Sequence, residues 1–153
     1  MKGLIVGAVT AASAVIVVSV ALAAAGGPTT THNVQPTEVT GNVGKCPAGN
    51  RYQLNLDWDK GEVTTGVHGF IEITAVDAVN HTFDWKIVDP EAVEENVVYV
   101  KGGPNTNKYD YIGPPNIAAV DDTFLHAPEN TKSKKVGDFY GLSHILFCFD
   151  SKN

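Results

Sequence analysis

The sequence predicts a small all-β domain, an antiparallel sandwich or partly open barrel, with its N- and C-terminal strands joined by a disulfide. Three observations lead to this fold class. Apolar residues recur at every second position in several runs, clusters of turn-forming residues separate those runs, and Cys46 and Cys148 stand near the two ends of the folded region. Alternation places successive side chains on opposite faces of a strand, and short strands between turns are typical of sandwiches and barrels.

The strands are predicted from these runs in chain order. Residues 52–58 show the pattern most clearly, because Tyr52, Leu54, Leu56 and Trp58 alternate with polar residues and so share one face. The runs at 97–101 and 142–149 are apolar on both faces, which predicts central strands. Further alternating runs occur at 67–73, 83–87 and 108–112. No segment keeps the 3.6-residue period of a helix.

Turn signals lie between the predicted strands. Glycine permits a positive φ and proline removes a hydrogen-bond donor from the ladder, so both residues end strands. Such clusters occupy residues 59–61, 89–91, 102–105 and 113–115. Residues 114–135 form a long polar segment, and long structured loops often carry function.

Residues 1–25 are interpreted as a signal peptide. Lys2 gives a positive start, an uncharged apolar run follows, and Ala-Leu-Ala at 21–23 and Ala-Ala-Ala at 23–25 fit the cleavage pattern. The alternative is an uncleaved anchor, since the run is long enough to cross a bilayer and would then be the only membrane contact. Both interpretations place the chain from Gly26 onward outside the cytoplasm. Cleavage predicts a secreted, extracellular protein, and an anchor predicts association with the cell surface.

Residues 26–44 are interpreted as a flexible linker. They are rich in threonine, glycine and proline and contain few large apolar residues, a composition that cannot bury a core. The β domain is therefore expected to occupy residues 45–153. Its size predicts a single domain that buries only about two-thirds of its unfolded surface.

Cys46 and Cys148 are predicted to form a disulfide, because a lone pair of cysteines in an exported protein usually bridges. Two buried free thiols are the alternative. A zinc site is not expected, since neither cysteine has a cysteine or histidine at ligand spacing.

The charge balance argues against a nucleic-acid partner. The 153-residue chain carries 17 acidic and 11 basic residues, for a net charge of −6. Its one short basic cluster is Lys132, Lys134 and Lys135. Nucleic-acid binding requires a dense basic face that neutralises many phosphates.

Four aspartates are candidate calcium ligands, since calcium prefers several oxygen donors and exterior β domains use it to fix loops. The alternative is solvated turn carboxylates, and beyond calcium no cofactor is expected. The candidates are Asp57, Asp59, Asp121 and Asp122.

A catalytic alternative uses the same polar segment. Asp121, Asp122 or Glu129 acting with His126 would make a secreted hydrolase or lyase if these groups converged in one cleft. Adjacent Ser143 and His144 do not form a nucleophile–base pair, because neighbouring side chains in a strand point to opposite faces. The sequence therefore identifies no catalytic residue.

A binding surface is predicted at the 102–111 hairpin and the adjoining 121–130 loop. Two tyrosines beside a Gly/Pro turn would present rigid apolar area to a ligand. The alternative is that these tyrosines pack in the core. The candidate ligand-binding residues are Tyr109, Tyr111, Asp121, Asp122, His126 and Asn130.

Three segments together resemble a known module. They are VKGGPNTNKYDY at 100–111, LHAPEN at 125–130 and GLSHILFCF at 141–149, with Cys-Pro at 46–47 as the opening. Together, over residues 46–150, they are similar to an uncharacterised cysteine-bracketed module of secreted and wall-attached proteins of Gram-positive bacteria. The resemblance implies an extracellular or surface setting and no particular chemistry.

The sequence thus favours a secreted or cell-surface, non-catalytic binding or structural module. The expected partner is an extracellular protein or a glycan. A secreted effector or inhibitor is a further alternative, as is the hydrolase or lyase described above.

Overall fold

A computed structural model describes residues 34–49, 52–111, 120–135 and 137–151. Within these ranges the chain forms nine β-strands and no helix, so no helix there is long and apolar enough to cross a membrane. The strands are β1 (Thr37–Thr40), β2 (Tyr52–Asp57), β3 (Gly66–His68), β4 (Ile71–Asp77), β5 (Thr82–Ile87), β6 (Val93–Gly102), β7 (Asn105–Asp110), β8 (Asp121–His126) and β9 (Leu142–Ser151).

The strands form two antiparallel sheets that are not closed into a barrel. One has five strands in the order β1-β7-β6-β9-β2, and the other has four in the order β3-β4-β5-β8. The predicted fold class is confirmed. The two runs predicted to be central are also confirmed, because β6 lies between β7 and β9, and β9 lies between β6 and β2.

The core lies between the inner faces of the two sheets. Phe147 on β9 packs edge-on against Trp85 of β5, with ring centroids 5.6 Å apart, and against Phe83 at 6.3 Å. All three side chains are buried, and edge-to-face contacts between aromatic rings add to the stabilisation from burial. The alternating apolar residues of β4, β5, β6 and β9 thus meet across the interior, as their period predicts.

The five-stranded sheet also has a small apolar cluster on its outer face. Tyr99 of β6 and Leu146 and Cys148 of β9 are buried there, against residues 41–46, which we call the strap. The strap leaves β1 at one edge of the sheet and leads towards β2 at the opposite edge, so it crosses the outer face. The Thr106 hydroxyl donates to the Gly41 carbonyl (2.7 Å) where the strap begins.

The disulfide between Cys46 and Cys148 fastens the far end of the strap, with the two Cα atoms 5.6 Å apart. The predicted bridge is therefore confirmed. It joins the segment just before β2 to the last strand, β9, so the near-N-terminal and C-terminal parts of the domain are covalently linked.

The folded region begins earlier than the expected boundary at residue 45. Val34 is buried in the main core, and β1 pairs in antiparallel register with β7, from Thr37 opposite Lys108 to Thr40 opposite Asn105. Residues 34–44 of the predicted linker thus belong to the folded domain, and within them Thr37–Thr40 is the edge strand β1. Its polar composition fits an edge strand that is largely exposed. The signal peptide predicted at 1–25 and linker residues 26–33 lie outside the described residues.

Removing the bridge is expected to reduce stability substantially. The double replacement Cys46→Ala, Cys148→Ala opens a loop with a sequence separation of 102. Chain-entropy estimates for a loop of about 100 residues give a loss of up to about 5 kcal/mol in the free energy of unfolding. Urea denaturation of the variant and of the oxidised protein measures this loss. Reduction of the unmodified protein is the control that separates the bridge from the effect of alanine, and a loss below about 1 kcal/mol would contradict the prediction.

Candidate functional site

The four-stranded sheet ends at β8, and side chains from β7 close this edge. The Tyr109 hydroxyl donates to the His126 carbonyl (3.0 Å) and accepts from the His126 N–H (2.9 Å). The Asn107 amide also donates to the His126 carbonyl (3.0 Å). We call this contact between β7 and β8 the seam. It gives the backbone at the end of β8 the partners that a neighbouring strand would otherwise supply.

A buried carboxylate lies further along the seam. Asp122 is 1% exposed and accepts hydrogen bonds from the Tyr111 hydroxyl (2.8 Å) and from the Val34 N–H (3.3 Å) through the same oxygen. Its other oxygen accepts from the Thr123 N–H (2.7 Å). A buried carboxylate requires such donors, so Asp122 ties β8 to β7 and to the start of the folded region.

The two tyrosines predicted to bind a ligand are core residues. Tyr109 is 2% exposed and Tyr111 is 1% exposed, and burial raises the pKa of Tyr109 above its ordinary value. The β7 side chains alternate, and this pair lies on the inner face while Lys108 and Asp110 lie on the other. The prediction that both tyrosines form a binding surface is therefore wrong.

The turn before these tyrosines is covered as well. A Cβ atom added at Gly103 would lie 2.6 Å from the Tyr140 ring, and one added at Gly102 would lie 2.4 Å from the Ala127 Cβ. Gly103 also has a φ of 58°, which glycine adopts without strain. The glycines are needed because the segment around 127–141 packs directly on this turn.

The four calcium candidates do not converge. Asp121 and Asp122 are neighbours on β8, so their side chains point to opposite faces. Asp57 lies at the end of β2, where its hydrogen bond and ion pair with Lys60 (2.8 Å) lower the pKa of its carboxyl. In the described parts of the chain, no three metal-ligating side chains lie close enough together to hold an ion.

Strand β8 contains a bulge that the sequence does not reveal. In the pairing of β5 with β8, Phe83 opposes Leu125 and Trp85 opposes Asp122, so Asp84 alone faces both Thr123 and Phe124. The Asp84 carboxylate accepts a hydrogen bond from the Phe124 N–H (2.7 Å). Bulges of this kind redirect side chains and are common at sheet edges and beside functional sites.

Phe124 has a positive φ of 62° and a side chain that is 54% exposed. The left-handed conformation costs an L-residue about 1–2 kcal/mol, and in a bulge it is usually taken by glycine. The other non-glycine residue with a positive φ in the described ranges, His81, lies in a turn, where this conformation is ordinary. Phe124 is therefore a strained residue that gains little from burial.

Phe124 forms an aromatic cluster with His126 and Phe139. The His126 and Phe139 rings are stacked, with centroids 3.7 Å apart and planes 17° apart. The Phe124 ring stands at 70° to His126 and at 77° to Phe139, with centroids 6.1 and 6.2 Å away. The three rings thus form a corner at the surface, and its outer wall is the exposed ring of Phe124.

His126 is held in place by both its backbone and its ring. Its Nδ1 lies 2.7 Å from the Ala127 carbonyl, which assigns the proton of the neutral ring to Nδ1 and leaves Nε2 as an acceptor. Burial lowers the pKa of His126, so the ring is neutral at pH 7. The predicted site residue His126 is therefore part of the surface cluster, as a neutral aromatic ring.

Phe139 reaches the cluster from residues 128–140, which we call the lysine hairpin. Its two arms are joined by the Asn130 N–H to the Asp138 carbonyl (2.7 Å), by the Tyr140 N–H to the Pro128 carbonyl (3.0 Å) and by the bridge between Glu129 and Phe139. Asn130, another predicted site residue, also accepts from the Lys132 N–H (3.2 Å) through its side chain. Asn130 therefore shapes the turn at the end of the hairpin.

A second pair of exposed aromatic rings has a different role. Tyr52 and Phe70 lie 5.1 Å apart, and Phe70 lies 5.7 Å from buried Phe149. Both rings therefore close one end of the core. Their backbones are not left-handed, so no strain marks this pair out.

Comparison of the chain with models of protein families, with curated proteins and with solved structures finds no match. The described residues also enclose no cavity. The distinctive feature of the described residues is the arrangement at the β8 bulge. It is an ordered aromatic surface, fixed by hydrogen bonds on both sides of the strand.

The seam generates a first prediction for the site. Tyr109→Phe removes the hydroxyl and leaves the His126 N–H without that acceptor, which is expected to lower the free energy of unfolding by about 1–3 kcal/mol. Chemical denaturation measures the change. Tyr99→Phe is the matched control, since Tyr99 is buried on the outer face and away from the seam, and it should change stability by less than about 0.5 kcal/mol. Equal stabilities of the two variants would contradict this role of the hydroxyl.

The strain at Phe124 predicts that the usual order of stability of the glycine and alanine variants is reversed at this position. In an ordinary strand, alanine is more stable than glycine by about 0.5–1 kcal/mol. At Phe124, with a φ of 62°, glycine relieves strain that alanine keeps, so Phe124→Gly is expected to be more stable than Phe124→Ala by about 1 kcal/mol. Thermal or urea unfolding of both variants gives the order. The ordinary order would show that the bulge relaxes when the ring is removed.

Proposed function

We propose that this protein is a secreted or cell-surface, non-catalytic binding module whose working surface is the aromatic cluster at the β8 bulge. The observation that carries the proposal is the state of Phe124, which is held left-handed and 54% exposed. Strained residues with no gain in burial are concentrated at functional sites, because the strain persists only where surrounding contacts impose it. Here the contacts are the Asp84 carboxylate and the anchored backbone of His126.

The extracellular setting is supported by the disulfide. Bridges such as Cys46–Cys148 form and persist in oxidising compartments and are rare in the cytosol. The signal peptide expected at residues 1–25 agrees with this setting, as does the resemblance to cysteine-bracketed surface modules. Secretion would account for the disulfide together with both of these expectations from the sequence.

Binding is favoured over catalysis by what the polar groups already do. Asp122 is buried and accepts from Tyr111, Val34 and Thr123, and Glu129 accepts from the Gly137 N–H (3.3 Å). These carboxylates accept hydrogen bonds within the fold, and the described residues enclose no cavity in which they would converge with His126. The hydrolase alternative needs converging acid and base groups, whereas an exposed ring needs only a ligand with a complementary apolar face.

The proposal is tested by screening the protein against a glycan array and a set of extracellular proteins, with Phe124→Gly beside the unmodified protein. We expect at least tenfold weaker binding by this variant, with a folded-state spectrum like that of the unmodified protein, because the ring is lost while the backbone is eased.

The matched control is Phe70→Ala, which removes another partly exposed phenylalanine, 39% exposed, from the opposite end of the core. This variant should keep its binding. Binding that is equal in the two variants, or lost only in Phe70→Ala, would place the working surface elsewhere and overturn the proposal.

A further inference from the structure

The tip of the lysine hairpin carries concentrated positive charge on an acidic protein. Residues 131–137 contain Lys132, Lys134 and Lys135 and no acidic residue, while the whole chain has a net charge of −6. All three lysines are exposed. The tip is a local departure from the charge of the rest of the molecule, and such departures steer ligands of opposite charge.

Residues 130–135, which carry the three lysines, are held by their own hydrogen bonds. The Ser133 N–H donates to the Asn130 carbonyl (2.9 Å), and the Ser133 hydroxyl accepts from the Lys135 N–H (3.2 Å). The lysines are thus displayed on a defined turn, which reduces the entropy lost when a ligand is held.

The three ammonium groups are available for a ligand. Across the described residues, none of them lies within ion-pair distance of a carboxylate. The nearest acids along the chain, Glu129 and Asp138, lie at the base of the tip, and Glu129 accepts from the Gly137 N–H. An exposed cation that is not paired within the described residues can pair with an anionic ligand without first breaking an ion pair there.

The charged tip adjoins the aromatic cluster. Phe139 follows Asp138, whose carbonyl closes the turn, and stacks on His126. Lys135 and Lys132 precede Phe139 by four and seven residues, so at about 3.3 Å per residue their Cα atoms lie at most roughly 13 and 23 Å from that of Phe139, which is the span of a few linked sugar rings. One ligand can therefore contact the aromatic corner and the lysines together.

We infer that the ligand of this surface is an anionic polysaccharide, a glycan chain that carries carboxylate groups. This inference rests on the proposed binding function of the aromatic cluster. The negative face of an aromatic ring attracts the weakly positive C–H groups on the apolar face of a sugar ring. The exposed ring of Phe124 receives that face, and the lysines pair with the anionic groups of neighbouring sugars.

The area of the aromatic surface favours a glycan over a protein. A phenylalanine side chain of about 200 Å², 54% exposed, offers on the order of 100 Å². A stable protein interface buries about 800 Å² on each partner around an apolar centre. One exposed ring beside three lysines suits a sugar polymer, and three lysines on a chain with a net charge of −6 are too few for nucleic acid.

Calorimetric titration tests the inference with three related polymers. Polygalacturonate supplies sugar rings with carboxylates, fully methyl-esterified polygalacturonate supplies the same chain without charge, and poly-L-glutamate supplies carboxylates without sugar rings. We expect saturable binding to polygalacturonate, with affinity at least tenfold lower for each of the other two. Alginate and hyaluronan extend the set of anionic polysaccharides, so that one unsuitable sugar does not decide the result.

Two triple variants test whether the lysines of the tip supply the positive charge that binds the polysaccharide. Lys132→Gln, Lys134→Gln, Lys135→Gln should weaken binding of the anionic polysaccharide at least tenfold. The control Lys45→Gln, Lys60→Gln, Lys86→Gln changes the net charge equally and should alter affinity less than twofold. Two of its lysines form only exposed ion pairs, with Asp57 and Glu72, so the fold is expected to tolerate it.

The outcomes separate this inference from the proposed function. If the protein binds an uncharged glycan or a protein through Phe124, and the triple replacement of the tip lysines leaves that binding unchanged, the proposed function stands. The inference of an anionic ligand is then overturned. Binding to poly-L-glutamate that equals binding to polygalacturonate and survives Phe124→Gly overturns both. Absence of saturable binding to all three anionic polysaccharides overturns the inference. The proposed function is then decided by the array screen with Phe124→Gly.

Discussion

The free edge of β8 must find hydrogen-bond partners without another strand, and the rest of the structure depends on how it does so. A single hydroxyl, that of Tyr109, both donates to and accepts from the backbone of His126. Because side chains close this edge, the two sheets meet at the seam without a continuous ladder, and the sandwich stays open. The same contact fixes one end of the bulge while Asp84 fixes the Phe124 N–H. The surface rings are therefore preorganised by the contacts that complete the core.

Sequence alternation predicted the fold class, the strands with regular period and the two central strands, but not β8 or β1. In β8 the bulge puts two residues between Asp122 and Leu125. The side chains of Asp122 and Leu125 nevertheless both point inward, so the period of two is broken. In β1 the strand is an exposed edge, so its residues need not be apolar. Residues 67–73 also read as one run, although a turn at Gly69 and Phe70 divides them into β3 and β4.

The candidate site was only partly accessible from sequence. Alternation correctly put Tyr109 and Tyr111 on one face, but period alone does not say which face meets the core, and this pair faces inward. His126 was singled out as a polar contact, whereas its ring is a neutral partner of Phe139. Phe124 was missed because its importance lies in its backbone conformation. The sequence feature that could have indicated Phe124 is the presence of a large aromatic residue within a polar segment, between Thr123 and His126.

The position of the disulfide has a mechanical consequence. Tension applied to the two ends of the domain reaches Cys46 and Cys148 and then passes through the sulfur–sulfur bond, so the chain between them carries no load. That bypassed length, with a sequence separation of 102, would otherwise extend by roughly 350 Å at about 3.4 Å per residue. Pulling can detach only β1, part of the strap and the last residues of β9. A module built in this way lengthens under load only by these terminal residues, while β8 and its surface rings lie outside the path of the force.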